Sequence, residues 1–109
     1  MEPLSLTALA DTHLAAAREA HSGRSATTVY GHATTSLRQT LIALAAGREL
    51  AEHDSPGEAT LQVLVGHVTL SAGEQTWEGR TGDLLEIPDA RHALAAHEDS
   101  AVLLTVAVR

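Results

Sequence analysis

Beyond Gly23 the chain is interrupted every few residues by clusters that favour tight reversals: "AAGRE", "DSPGE", "VGH", "SAGEQ", "GRTGD", "IPDAR" and "AHEDS". Gly reaches backbone conformations closed to other residues, Pro fixes one torsion, and Asp and Ser bond to their own backbone. The intervals between reversals are short for helices and are rich in β-branched or alternating residues. Strands are therefore expected at 27–30, 37–45, 50–53, 60–65, 68–71, 75–78, 84–87, 92–96 and 101–108. Many short strands with frequent turns indicate a sandwich or barrel.

The first twenty residues follow a different period. Leu6, Leu9, Ala10, His13, Leu14 and Ala17 recur at helical spacing, with Ser5 or Thr7 available to cap the start and Gly23 to stop the chain. A helix is expected over 5–21, packed by its apolar stripe against the main body or a second subunit. The expected organisation is an N-terminal helix and linker over 1–26 and an all-β domain over 27–109, in a chain of 109 residues.

Composition removes several functional classes. No cysteine is present, which excludes disulfides, thiolate ligands and a cysteine nucleophile. All seven basic residues are arginines, scattered against fourteen acids for a formal charge of −7, so no nucleic-acid partner is expected. The absence of lysine removes Schiff-base chemistry and a P-loop lysine. No apolar run is long enough to span a bilayer, and the N-terminus lacks a basic opening with an apolar core behind it. The expected location is cytoplasmic, with no membrane partner.

Within the β region two spaced groups of residues stand out. Gly47 is followed after five residues by His53, Asp54 and Ser55, then after three more by Ala59 and after a further six by Gly66. Gly82 is followed after five residues by Pro88, and then by Asp89, Ala90, Arg91 and His92. This pattern resembles the two-part signature of the small single-domain cupins of the RmlC-like superfamily, G-x5-H-x-H-x3-E-x6-G and G-x5-P-x-G-x2-H-x3-N. The resemblance covers residues 37 to 108. Ser55 stands in place of the second histidine and Ala59 in place of the glutamate, and the second motif is one residue short and lacks its glycine. The resemblance implies a cupin-type jelly-roll β-barrel with an N-terminal α-helix, a small pocket, frequent assembly as a homodimer, and degenerate metal-binding motifs.

By carry-over, His53 and His92 occupy two metal-ligand positions, while Ser55 is a poor neutral ligand and Ala59 offers none. A divalent metal (Zn, Ni, Mn or Fe) usually needs three or four convergent protein ligands. Gln39, Glu49 or Glu86 would have to complete the set. Glu58 is one residue out of register, and one residue in a strand sends a side chain to the opposite face. No cofactor is therefore expected. Strand parity places Arg38, Thr40, Ile42 and Leu44 on one face and Leu37, Gln39, Leu41 and Ala43 on the other. Either face could line the pocket. An inward Arg38 would recognise a carboxylate or phosphate, and an outward one would pair with an acid. The expected function is binding of a small polar or carboxylated ligand, with His53, Ser55, His92, Gln39 and Arg38 as ligand-binding candidates. One alternative is a metal-dependent oxygenase or isomerase using His53 and His92. Another is an effector-sensing or dimerisation module acting with a separate regulator.

Overall fold

Burial alternates residue by residue along residues 24–30, 67–71 and 92–96. A computed structural model describes residues 2–54 and 57–108. The helix α1 (Leu6–Glu19) is capped by Ser5, whose side chain accepts from the Ala8 amide at 3.1 Å. Nine strands follow: β1 (Arg24–Tyr30), β2 (Leu37–Leu44), β3 (Glu49–His53), β4 (Glu58–Val65), β5 (His67–Ala72), β6 (Gln75–Arg80), β7 (Leu84–Glu86), β8 (His92–Ala96) and β9 (Ser100–Ala107). Each expected strand is present, with ends moved by up to three residues. No helix among the described residues is long and apolar enough to cross a membrane.

All pairings are antiparallel. One sheet has the order β1-β2-β9-β4-β7 and the other β3-β8-β5-β6. The body is the expected all-β jelly roll with an N-terminal helix; among the described residues no strand pairs from one sheet to the other, so the two sheets form a sandwich and are not closed into a barrel. At one corner, between β6 and β7, the two sheets approach each other closely. The chain turns sharply through an Asp83 amide to Arg80 carbonyl bond of 2.8 Å, reinforced by the Asp83 carboxylate accepting from the Arg80 amide at 2.8 Å. Gly79 of β6 leaves no room for a side chain there, since an added Cβ would lie 2.9 Å from Leu85 Cδ1 and 3.0 Å from Val63 Cγ2.

The larger sheet is covered on both faces. Its inner face contributes Leu44, Leu61, Val63 and Val102, packed on Val68, Leu70, Leu94 and Ala96 of the smaller sheet. Its outer face presents Leu41, Ala43 and Ala101 to Ala10, Leu14 and Ala17 of α1. Burying a leucine of this kind contributes about 1.5–3 kcal/mol. His13 adds a polar tie, its Nδ1 lying 2.7 Å from the Ser25 hydroxyl on β1. The apolar stripe of α1 and the outer face of β2 thus cover one another, so the helix packs on the main body.

Candidate functional site

His53 and His92 meet across the β3–β8 pair, where they are register partners. Their ring centroids are 4.5 Å apart and tilted by 59°. This meeting depends on an irregularity in β3. Leu50 pairs with Leu94, and three residues later His53 pairs with His92, two residues back along β8. The extra residue on β3 is a bulge, and it reverses the side-chain parity of the strand. Without it Glu52 would share the inward face of Leu50, and His53 would face outward. Flanking charges brace the same corner. Arg91 donates from Nε to Glu52 Oε1 at 3.3 Å and from Nη1 to Asp54 Oδ1 at 3.2 Å. Both pairs are exposed and hold geometry more than they stabilise.

Backbone carbonyls set the state of each ring. His53 Nδ1 lies 3.0 Å from the Ala51 carbonyl oxygen and His92 Nδ1 2.9 Å from that of Ala90. A carbonyl only accepts, so each neutral ring carries its proton on Nδ1 and keeps a bare lone pair on Nε2. The same second-neighbour anchoring orients histidines at metal centres.

Both rings line a narrow cavity of about 90 Å³ between the two sheets. The rest of its wall is hydrocarbon: Ile42, Ala59, Leu61 and Leu104 from the larger sheet, and Leu50, Leu70 and Leu94 from the smaller, with Ile87 at the side. His92 is buried, at 5% exposure, and His53 lies at the solvent end. Ala59 occupies the glutamate position of the motif and turns a methyl group to the cavity. Glu58 beside it is exposed.

Among the described residues the cavity gathers two metal-ligand candidates, His53 and His92, fewer than the three or four protein ligands a resident metal usually takes. Among the described residues no group of three or more His, Cys, Asp or Glu side chains gathers in a way that could hold an ion. Gln39 lies on the opposite face of the larger sheet, where its Nε2 donates to the Thr105 hydroxyl at 3.1 Å. Glu49 pairs with Ala95 on the outer face of the smaller sheet, and Glu86 is exposed beside an outer groove. Ser55 lies outside the described residues. Arg38 shares the inward face of Ile42 but lines a separate concavity at the β1–β2 edge, so the structure brings His53 and His92 together and leaves Gln39 and Arg38 outside their cavity.

A second histidine pair was not anticipated as a unit. His67 and His97 stack at 4.5 Å and 39°, and His67 Nε2 donates to Glu78 Oε1 at 2.7 Å. That bond, with the positive charge of the ring when protonated, holds the Glu78 carboxyl below its usual range. Sequence reading placed His67 in a turn because Gly66 precedes it. The His67–Arg80 register of the β5–β6 hairpin is the signal that could have linked it to Glu78.

No protein-family model matches the chain, and no curated protein matches it in sequence. Solved structures do resemble it. A cupin superfamily protein from Desulfitobacterium hafniense superposes with a TM-score of 0.74 at 19% identity, over 99% of this chain and 92% of that one. An RmlC-like cupin protein from Desulfovibrio desulfuricans gives 0.66 at 26%, over 77% and 81%. Salicylate 1,2-dioxygenase from Pseudoaminobacter salicylatoxidans gives 0.78 at 19%, over 97% of this chain but 35% of that one. The chain has the fold of a small cupin domain.

Proposed function

We propose that this small cupin domain binds a compact organic molecule in the cavity closed by His53 and His92, without a resident metal. The observation that carries the reading is the pair of anchored imidazoles, whose Nε2 lone pairs are, among the described residues, the only strong side-chain acceptors against an otherwise hydrocarbon wall. A cavity of about 90 Å³ is far below the roughly 300–1,000 Å³ of drug-sized sites. The ligand is accordingly small and mainly apolar, with one O–H or N–H group to donate to an imidazole. The protein is read as cytoplasmic and homodimeric, the latter supported by exposed Trp77 and Leu84 at the β6–β7 corner.

Phenol and toluene are suitable probes, since they differ by the hydroxyl. Titration followed by NMR of the histidine rings and the cavity leucine methyls is expected to give saturable shifts with phenol. Toluene should bind about two- to tenfold more weakly, the worth of one net hydrogen bond. Absence of saturable shifts at His53, His92 and the cavity methyls would overturn the proposal. So would about one metal ion per chain in protein purified without chelator or affinity tag, the occupancy a structural centre shows.

A second reading, a metal-dependent oxygenase or isomerase, draws on the same two imidazoles and the likeness to the dioxygenase. It requires a third donor beyond them, and the metal analysis separates it from the first. The module reading, an effector sensor acting with a separate regulator, is compatible with the same cavity and is separated by whether phenol-class ligands change oligomeric state.

A further inference from the structure

Arg38 is the cation of this chain whose surroundings are hardest to explain as structural. Its Nε is buried and has no hydrogen-bond partner, and its Nη2 makes a long 3.3 Å bond to the Ala33 carbonyl. No carboxylate pairs with it among the described residues, although Arg18, Arg80 and Arg91 all have acidic partners in this acid-rich chain. A buried charged donor left unpaired is costly and in native proteins calls for a missing partner.

Arg38 lines a concavity of about 250 Å³ at the β1–β2 edge, together with Thr28, Tyr30, His32 and Thr40. Thr28 and Thr40 are cross-strand partners, and the register shifts between Thr28 and Tyr30 at the end of β1. His32 Nδ1 accepts from the Thr34 amide at 3.4 Å, which leaves Nε2–H as a donor. The concavity is therefore lined by an arginine, a histidine, two threonines and a tyrosine, with no acidic residue among them.

We infer that this concavity is a binding site for a carboxylate-bearing small molecule, with Arg38 as the charge partner. A planar guanidinium matches the two oxygens of a carboxylate, and turning it onto such a group gives Nε the partner it lacks. One guanidinium, with no second arginine in the lining, suits a single negative charge better than a phosphate dianion. The site is independent of the histidine cavity. Across the sheet Arg38 pairs with Val106, and Val106 with Ala59, which puts two strand spacings, roughly 9–10 Å, between Arg38 and Ala59, and the two concavities share no lining residue.

The test is a titration of the unmodified protein with acetate and benzoate, and separately with inorganic phosphate, at constant ionic strength. The Nε–H resonance of Arg38 and the amides of residues 28–40 are followed by NMR. Saturable shifts are expected with the carboxylates at about millimolar concentration. Arg38→Gln should weaken binding by about tenfold or more, the worth of a charge-assisted bond. Arg38→Lys should restore only part of it, and His53→Ala should leave it unchanged. Three results overturn the assignment: no saturable shift in the unmodified protein, equal binding by Arg38→Gln, or phosphate binding more tightly than either carboxylate. Because the signals lie on β1 and β2, failure here leaves the phenol titration of the histidine cavity to stand or fall by itself.

Discussion

Gly66→Ala is the substitution for which the structure gives the firmest magnitude. Gly66 holds φ at +112°, outside the range of ordinary L residues. Holding alanine in such a sparsely populated region costs roughly 1–3 kcal/mol. Space is a second obstacle, because a Cβ at Gly66 would collide with the Ser100 hydroxyl and lie 2.7 Å from both the Asp99 carbonyl oxygen and Ser100 Cα. Backbone must move to relieve that, and Ser100 is committed locally: its hydroxyl accepts from the His67 amide at 3.0 Å and donates to the Glu98 carbonyl at 2.8 Å. Loss of those two bonds adds about 1–2 kcal/mol. The expected destabilisation is about 2–5 kcal/mol, or a fall in melting temperature of roughly 8–20 °C for a domain of this size. Gly73→Ala is the matched control, since Gly73 has φ of +59° and nothing within 4 Å of an added Cβ. It should cost only about 1–2 kcal/mol. Urea unfolding followed by circular dichroism compares the two variants directly. If Gly66→Ala loses no more stability than Gly73→Ala, the steric argument at Ser100 is wrong.

Three further outcomes are expected. Asp99 accepts from the Ala46 amide at 2.8 Å and from Arg18 at 2.7 Å, which lowers its pKa below the ordinary 3.8. The stability it confers is therefore fully present above about pH 5 and lost as pH falls through its folded-state value. Asp99→Asn should be less stable at neutral pH, and urea midpoints should show the gap closing toward about pH 2. If the gap is constant with pH, ionisation of Asp99 is not the source. Ala59→Glu places a carboxylate on the cavity wall beside His53 and His92 and should tighten Ni²⁺ binding by about tenfold or more, read by calorimetric titration. A folded variant binding no tighter would show that the three positions do not converge. Leu14→Ala empties a buried site between α1 and β2 and should cost about 2–4 kcal/mol in chemical denaturation. A negligible loss would mean that the helix docks weakly.

The strands were legible because turn chemistry and strand length are local properties, and every expected strand lies where the Gly, Pro and Asp clusters leave room for it. Closure was not, since whether the two sheets pair at their edges is settled by the approach of residues far apart in sequence, such as Gly79 and Val63. The pocket-facing side of β2 was equally hidden. A strand covered by α1 on one face and by the second sheet on the other carries Leu41 and Ile42 as neighbours and shows no alternation. His53 shows the limit most sharply. Strand parity counted from Leu50 sends it outward, and only the bulge, which no local residue preference announces, turns it to His92. Glu58 and Ala59 needed no such correction, because their spacing from Gly66 already separated the outward carboxylate from the inward methyl.

The position of β9 carries a consequence for how the protein forms. It lies between β2 and β4 in the larger sheet and is paired with both. During synthesis these two strands emerge from the ribosome well before the strand that separates them. Until it arrives, one edge of β2 and one edge of β4 stand open, and the apolar faces that β9 will cover are available to other nascent chains. Assembly must wait for contacts between residues far apart in sequence, which slows it and extends the interval in which a chaperone has something to hold. Ribosome-stalled chains ending before Ser100 should accordingly remain sensitive to protease, and resistance should appear only after β9 has cleared the exit tunnel.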